Sequence, residues 1–225
     1  MNCIVTAGPT YEPLDEVRRL TNFSTGRLGT ELANFLTARG HRVTLLIGEQ
    51  ATWPGERRAA RIEVFTTTAD LRARLQAMAS AAVDAVLHAA AVSDFHFGKV
   101  WQRAADGQLT EVTARKISSR MGLLWAELHP TEKLILGLRD WFAHACLVGW
   151  KYEMDGHRPE AVAQAVRQIR ESRTHACVVN GRAYGTGFGI VTPDERCAHA
   201  ETMEALFPAL EALAQSAGRR TPAAS

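Results

Sequence analysis

The stretch Asn2-Cys3-Ile4-Val5-Thr6-Ala7-Gly8-Pro9-Thr10, continued at 22–29 by Asn-Phe-Ser-Thr-Gly-Arg-Leu-Gly, decides the fold. A short apolar run stops at a glycine. Small residues then lead into an apolar stripe of helical period, Leu28, Leu32, Phe35 and Leu36. That is the opening of a strand–loop–helix unit, and the unit recurs. Further short apolar runs lie at 42–47, 61–66, 84–90, 145–150 and 175–180. Between them come the stripes Leu71, Leu75, Met78 and Ala82, then Val162, Val166 and Ile169, then Met203, Leu206, Phe207 and Leu210. Continuous apolar strands alternating with amphipathic helices predict an α/β protein: a doubly wound, mainly parallel sheet with helices on both faces, a Rossmann-like single domain. Gly40 is the expected stop of the first helix. The domain is expected to span 1–214, and the small, polar stretch 215–225 reads as a disordered tail.

Composition narrows the function. The 225 residues carry 26 Lys plus Arg against 24 Asp plus Glu, a net charge of +2. That balance has no electrostatic footprint for nucleic acid or a membrane surface. No apolar run approaches the roughly 20 residues of a spanning helix, and no signal peptide precedes the first strand. Cys3, Cys146, Cys177 and Cys197 form no CxxC pair; reduced core thiols and a cytoplasmic location are expected. The basic residues divide into 22 Arg and only 4 Lys, at 99, 116, 133 and 151.

In such folds ligands bind outside the carboxyl ends of the strands. The loop after the first strand suits a phosphate: small residues allow close backbone approach, and the helix start supplies free N–H groups and a positive dipole end. Tight strand-to-helix packing would use the same glycines. The loop is neither a GxxxxGK[ST] phosphate loop nor a plain GxGxxG turn. After the fourth strand, His88-Ala89-Ala90-Ala91-Val92-Ser93-Asp94 leaves room for a flat group, with Asp94 able to accept from a ribose. A short-chain-dehydrogenase-like NAD(P)-dependent oxidoreductase would share these loops. Its Tyr-x-x-x-Lys is absent, since Tyr11, Tyr152 and Tyr184 are followed four residues on by Asp15, Gly156 and Phe188. A non-enzymatic nucleotide-binding module is the other alternative.

The ordered blocks TAGPTYEPLDEVRRLTNFSTGRLG, LHAAAVSDF, ARKISS, LVGWKYE, CVVNG and FGIVTPD, spread over residues 2 to about 210, resemble phosphopantothenoylcysteine synthetase. The resemblance implies a phosphopantothenate–cysteine ligase of coenzyme A biosynthesis. In that family a nucleoside triphosphate activates the carboxylate of 4′-phosphopantothenate, pyrophosphate leaves, and cysteine attacks the acyl-nucleotidyl intermediate. It further implies Mg²⁺ accompanying CTP, or ATP, and a homodimer with substrate near the subunit boundary. Matched residue by residue, Asn22 would hold the intermediate with Arg18 nearby, and Lys116 would reach the triphosphate. Gly8, Ser24, Gly26 and Gly29 match nucleotide contacts, Ala90 and Asp94 the base-and-ribose stretch, Trp150 a flat wall, and Asn180 the Asn of an A-N-D block. No metal ligand is assigned. Asn22 also reads as an ordinary turn residue, and Trp150 as a core aromatic.

Three departures matter. Gly181 replaces the Asp of the A-N-D block. Gln168 and Ser172 stand where fused bacterial members carry nucleotide-contacting lysines. Between Asp94 and Lys116 the chain is long, so 97–113 reads as a mobile lid over the nucleotide, and Lys99 is the rival of Lys116. Fused members also carry a flavin-dependent decarboxylase domain ahead of this region, and none is expected here.

Overall fold

The computed structural model describes residues 1–79 and 82–218. From β1 (Asn2–Ala7) the chain makes a small antiparallel hairpin, β2 (Tyr11–Pro13) and β3 (Arg19–Thr21). It continues through α1 (Arg27–Ala38), β4 (Arg42–Gly48), β5 (Arg61–Phe65), α2 (Thr68–Ala77) and β6 (Ala85–His88). A three-stranded antiparallel sheet follows, made of β7 (Phe95–Arg103), β8 (Leu109–Glu111) and β9 (Leu124–Pro130). Then come α3 (Leu134–Trp141), β10 (Cys146–Tyr152), α4 (Arg158–Ser172), β11 (Ala176–Asn180), β12 (Phe188–Val191), β13 (Cys197–Ala200) and α5 (Met203–Gly218).

The main sheet has the order β13-β12-β11-β10-β6-β1-β4-β5. It is parallel from β5 to β11, and only β12 and β13 run antiparallel. Alternation along the strands separates two faces. Cys3, Val5 and Ala7 of β1 pack with Leu32 and Leu36 of α1 and Leu206 and Leu210 of α5. Ile4 and Val86 pack on the other face with Leu71 and Leu75 of α2 and Leu134 and Leu138 of α3. α4 covers β11 on that second face through Ala165 and Ile169. The fold is the expected doubly wound one. Its order reverses at β1, which sends the chain through α1 to β4 on one side and receives it through α2 beside β6 on the other. The crevice at the ends of β1 and β6 is the topological switch point.

Several expectations are corrected. α2 ends at Ala77 with Met78 as its cap, so Ala82 lies outside the helix. The stretch 97–113, expected as a polar mobile lid, is built largely of β7 and β8, with Val100 buried. The proposed tail begins inside α5, which takes in 215–218; residues 219–225 lie outside those described. Cys3, Cys146 and Cys177 are buried free thiols, and Cys197 is exposed. Burial pushes the thiols of Cys146 and Cys177 up to about 12.

Gly29 seats α1 on β1. A Cβ there would stand 2.6 Å from the Ala7 Cβ and 3.0 Å from the Thr6 carbonyl oxygen. Gly29→Ala should therefore overpack this contact and cost about 1–3 kcal/mol. A thermal melt would show this as a fall of several degrees, and an unchanged midpoint would contradict it.

Candidate active site

The two loops at the switch point are stitched together. Ala91 N–H donates to the Gly8 carbonyl at 3.0 Å, and the Ala91 carbonyl accepts from Thr10 N–H at 3.1 Å. The same carbonyl accepts from Asn22 Nδ2 at 3.0 Å. Asn22 thus sits on the surface where the loops after β1 and β6 meet. Ala90 N–H donates to Thr6 Oγ1, and that oxygen lies 2.9 Å from His88 Nδ1. Thr6 Oγ1 thus joins the Ala90 amide to the His88 ring.

His88 is buried, and burial pushes its pKa down to about 4 from an ordinary 6.5. Between those values the unfolded chain binds a proton that the folded chain refuses, so stability rises with pH there. The contribution is complete above pH 6.5 and is lost as pH falls toward 4, by about 3 kcal/mol. Denaturant melts across that window should show the slope. His88→Asn should flatten it, and an unaltered slope would contradict the assignment.

The start of α1 is open to a ligand. Its N-cap is Gly26, at φ +80°, a left-handed conformation that favours glycine. Gly26 has no side chain to cap the helix, the first turn holds no acidic residue, and only Arg27 N–H is met locally, by Thr25 Oγ1 at 3.3 Å. α2 differs: Thr67 Oγ1 accepts from Asp70 N–H, and the buried Glu12 accepts from Thr68 N–H at 3.0 Å. A helix that caps itself has little left for an anion, whereas α1 keeps the N–H groups of Leu28 and Gly29 available. A Cβ on Gly26 would lie 3.3 Å from the Gly8 Cα and 2.9 Å from the Ala51 Cβ. Gly8 and Gly26 therefore bring the end of β1, the start of α1 and the turn after β4 into contact. Ser24 lies partly buried between Asn22 and this helix start.

Lys116 is exposed, and among the described residues it has no ion-pair partner. The other three lysines are engaged. Lys99 Nζ bonds to Glu111 at 2.9 Å and lies over the Trp101 ring. Glu111 holds the Lys99 ammonium above its usual pKa. Lys151 is 3.8 Å from Glu153, and Lys133 pairs with Asp94. Arg18 donates to Asp15 and, at 2.8 Å, to the Ile117 carbonyl, which places it beside Lys116 in space. Arg18 and Asn22 flank β3, separated by roughly 13 Å of extended chain. The structure thus brings Gly8, Gly26, Asn22, Ala90 and Ala91 together at the crevice, and ties Lys116 to the far end of the same hairpin.

Asp94 reaches the site already paired. Lys133, the N-cap residue of α3, holds its carboxylate, and Thr131 N–H donates to the Asp94 carbonyl at 2.9 Å. Nothing local in the sequence marks Lys133; the pair joins residues 39 positions apart. Trp150 projects from β10 onto the face shared by α1 and α5, packed partly into that core. Its indole N–H is buried and has no partner among the described residues.

Asn180 ends β11, where its carbonyl accepts from Glu153 N–H at 2.9 Å. Gly181 beside it has φ +109°, and a Cβ would stand 2.5 Å from the Glu153 carbonyl oxygen. The Asp expected there would not fit without moving that backbone. Gln168 and Ser172 face inward: Gln168 Nε2 lies 3.3 Å from Cys177 Sγ, and Ser172 is fully buried. Neither can take over a lysine's contact with a nucleotide.

Comparison with known proteins agrees with this geometry. Residues 1–208 match the family described as DNA/pantothenate metabolism flavoprotein C-terminal domain. A cysteine/cysteine sulfinic acid decarboxylase from an unspecified prokaryote is 30% identical over 189 residues, covering 82% of this chain and 47% of that protein. The coenzyme A biosynthesis bifunctional protein CoaBC of Thermococcus kodakarensis is 33% identical over 184 residues, covering 81% of this chain and 42% of that protein. The chain therefore spans about half or less of these two relatives. The crystal structure of the DNA/pantothenate metabolism flavoprotein from Streptococcus pneumoniae superimposes with a TM-score of 0.83 at 23% identity, covering 96% of this chain and 99% of that one. With residues 1–208 matched and the same fold in place, the chain belongs to the DNA/pantothenate metabolism flavoprotein C-terminal domain family.

Proposed function

We propose that this protein is a phosphopantothenate–cysteine ligase. The observation that carries the reading is the junction at the switch point, where Asn22 bridges to Ala91 beside the open, acid-free first turn of α1. Its named relative CoaBC, a coenzyme A biosynthesis protein, supports the same reading.

A carboxylate oxygen of 4′-phosphopantothenate attacks the α-phosphorus of the nucleotide, and the bond to pyrophosphate breaks. The α1 N–H groups and Lys116 neutralise charge on the phosphates as this happens. Asn22 keeps one amide N–H on Ala91 while the other donates to the acyl-phosphate. The cysteine amine then attacks the acyl carbon, loses a proton and expels the nucleoside monophosphate. Holding both reactants in one crevice supplies the proximity that makes the second step efficient.

The nucleotide is CTP in this reading, with ATP as the rival. Among the described residues, no three His, Cys, Asp or Glu side chains gather as a metal site. We propose that Mg²⁺ is held by the triphosphate oxygens, where it adds positive charge. The protein acts as a homodimer in the cytoplasm. Trp125, Leu128 and Leu109 stand exposed on the three-stranded sheet, and Phe23 and Val17 on and beside the hairpin, apolar surface that a second copy would cover. Sedimentation of the purified chain reads the dimer directly.

The function is tested by pyrophosphate release with phosphopantothenate, Mg²⁺ and either CTP or ATP. Release with CTP that requires phosphopantothenate is expected. Faster release with ATP would reverse the nucleotide assignment, and no release with either would overturn the function.

A further inference from the structure

Residues 113–118, which include Lys116, lie in neither helix nor strand, beyond the last bond to β7, from Val112 N–H to the Val100 carbonyl. The hydrogen bonds that hold residues 115–117 come from the turn between β2 and β3, about a hundred positions earlier. Asp15 Oδ2 accepts from Ile117 N–H at 3.1 Å. Arg18 Nη2 donates to the Ile117 carbonyl at 2.8 Å and to Asp15 Oδ2 at 2.5 Å. Glu16 N–H donates to the Arg115 carbonyl at 3.0 Å. The residues on both sides of Lys116 are thus gripped while Lys116 itself stays exposed. The Asp15 side chain is only 2% exposed, and the Ile117 residue 4%. The other Asp15 oxygen closes the turn by accepting from Val17 N–H at 2.9 Å and Arg18 N–H at 2.7 Å.

We propose that Asp15 is a positioning residue that, with Arg18, clamps the backbone around Lys116 and so presents its ammonium to the triphosphate. The proposal rests on the reading of Lys116 given above. A turn carboxylate needs only one oxygen to accept the Val17 and Arg18 amides, as Asp15 Oδ1 does. The second oxygen is spent on Ile117 and the Arg18 guanidinium. Arg18 holds the Asp15 carboxyl well below the usual carboxylate range, with the Ile117 and Val17 amides adding to the effect. The clamp is therefore charged throughout the working pH range. It also makes Arg18 part of the grip on Lys116, which gives that side chain a role apart from any contact with the intermediate.

Asp15→Asn separates the two jobs: the amide oxygen can still close the turn, but an N–H₂ replaces the acceptor used by Ile117 and Arg18. Hydrogen exchange in the full-length chain should show the Ile117 amide exchanging at least about tenfold faster, while Val17 and the β1 amides stay protected. Losing a hydrogen bond to a charged group predicts a fall of about tenfold to a hundredfold in kcat/KM for the nucleotide. Because Asp15 acts through Lys116, Asp15→Asn should add almost nothing in a Lys116→Ala background. Multiplicative losses in the double variant, or unchanged exchange at Ile117, would overturn the proposal. If Asp15→Asn melts early, Arg18→Met removes the guanidinium from both the Ile117 carbonyl and Asp15 Oδ2 while leaving the Asp15 carboxylate in place; faster exchange at residues 115–117 supports the clamp and wild-type exchange refutes it. The exchange measurement needs no substrate. Failure of the ligase reading appears instead as a wild-type protein that releases no pyrophosphate.

Discussion

Lys116→Ala should slow formation of the acyl-nucleotidyl intermediate on the order of 10²–10³-fold, the scale seen when a preorganised stabiliser of developing charge is removed. Lys116 is exposed and unpaired among the described residues, so the loss is chemical, and the melting temperature should hardly move. Lys99→Ala is the matching control. Lys99 is committed to Glu111 and stacked near Trp101 on the three-stranded sheet. Such exposed pairs contribute about 0–1 kcal/mol, so its loss should leave pyrophosphate release close to wild type. Single-turnover pyrophosphate release on both variants decides the matter. A severe Lys99→Ala defect beside a mild Lys116→Ala one would show that the match through residues 95–115 is wrong.

Asn22→Asp should cost a similar 10²–10³-fold, but at the other step. An Asp shapes a turn nearly as well as an Asn, so a turn residue would tolerate the change. In the structure the Asn22 amide donates to the Ala91 carbonyl at 3.0 Å, so the Asp variant also sets a carboxylate against a carbonyl oxygen. An anion then faces the acyl-phosphate as well. Rapid quench should find pyrophosphate released without matching amide product, because the intermediate is lost before cysteine attacks. Near-normal amide formation by a folded Asn22→Asp protein would leave Asn22 as a turn residue. A large fall in melting temperature would trace the defect to the Ala91 bridge instead.

The parallel core was legible in the sequence for a physical reason. Strands buried on both faces read as unbroken apolar runs, as in Cys3-Ile4-Val5 and Ala176-Cys177-Val178-Val179. The antiparallel pieces were not. β3 is exposed at every residue, and β7 mixes glycine, lysine and histidine with its apolar residues, so neither carries a clean period. That is why 97–113 read as a lid. β13 was hidden likewise, since Cys197, Ala198 and His199 are exposed, whereas β12 is largely buried but only four residues long and carries Gly189. The candidate glycines, Asn22 and Lys116 stand out in the sequence because they lie inside motifs. Asp15 and Lys133 do not, because their partners lie 102 and 39 residues away. No local pattern encodes such a partnership. Asp94 stands out by its place after a strand, but its pairing with Lys133 does not show in the sequence.

The central claim is that one crevice joins phosphopantothenate to cysteine through an activated acyl group. The most direct measurement is mass-spectrometric detection of products from phosphopantothenate, cysteine, CTP and Mg²⁺. The account predicts one phosphopantothenoylcysteine and one CMP for every pyrophosphate, with no amide when cysteine is left out. Amide formed with release of CDP and inorganic phosphate would contradict the acyl-nucleotidyl route, and absence of the amide with any nucleoside triphosphate would contradict the ligase itself.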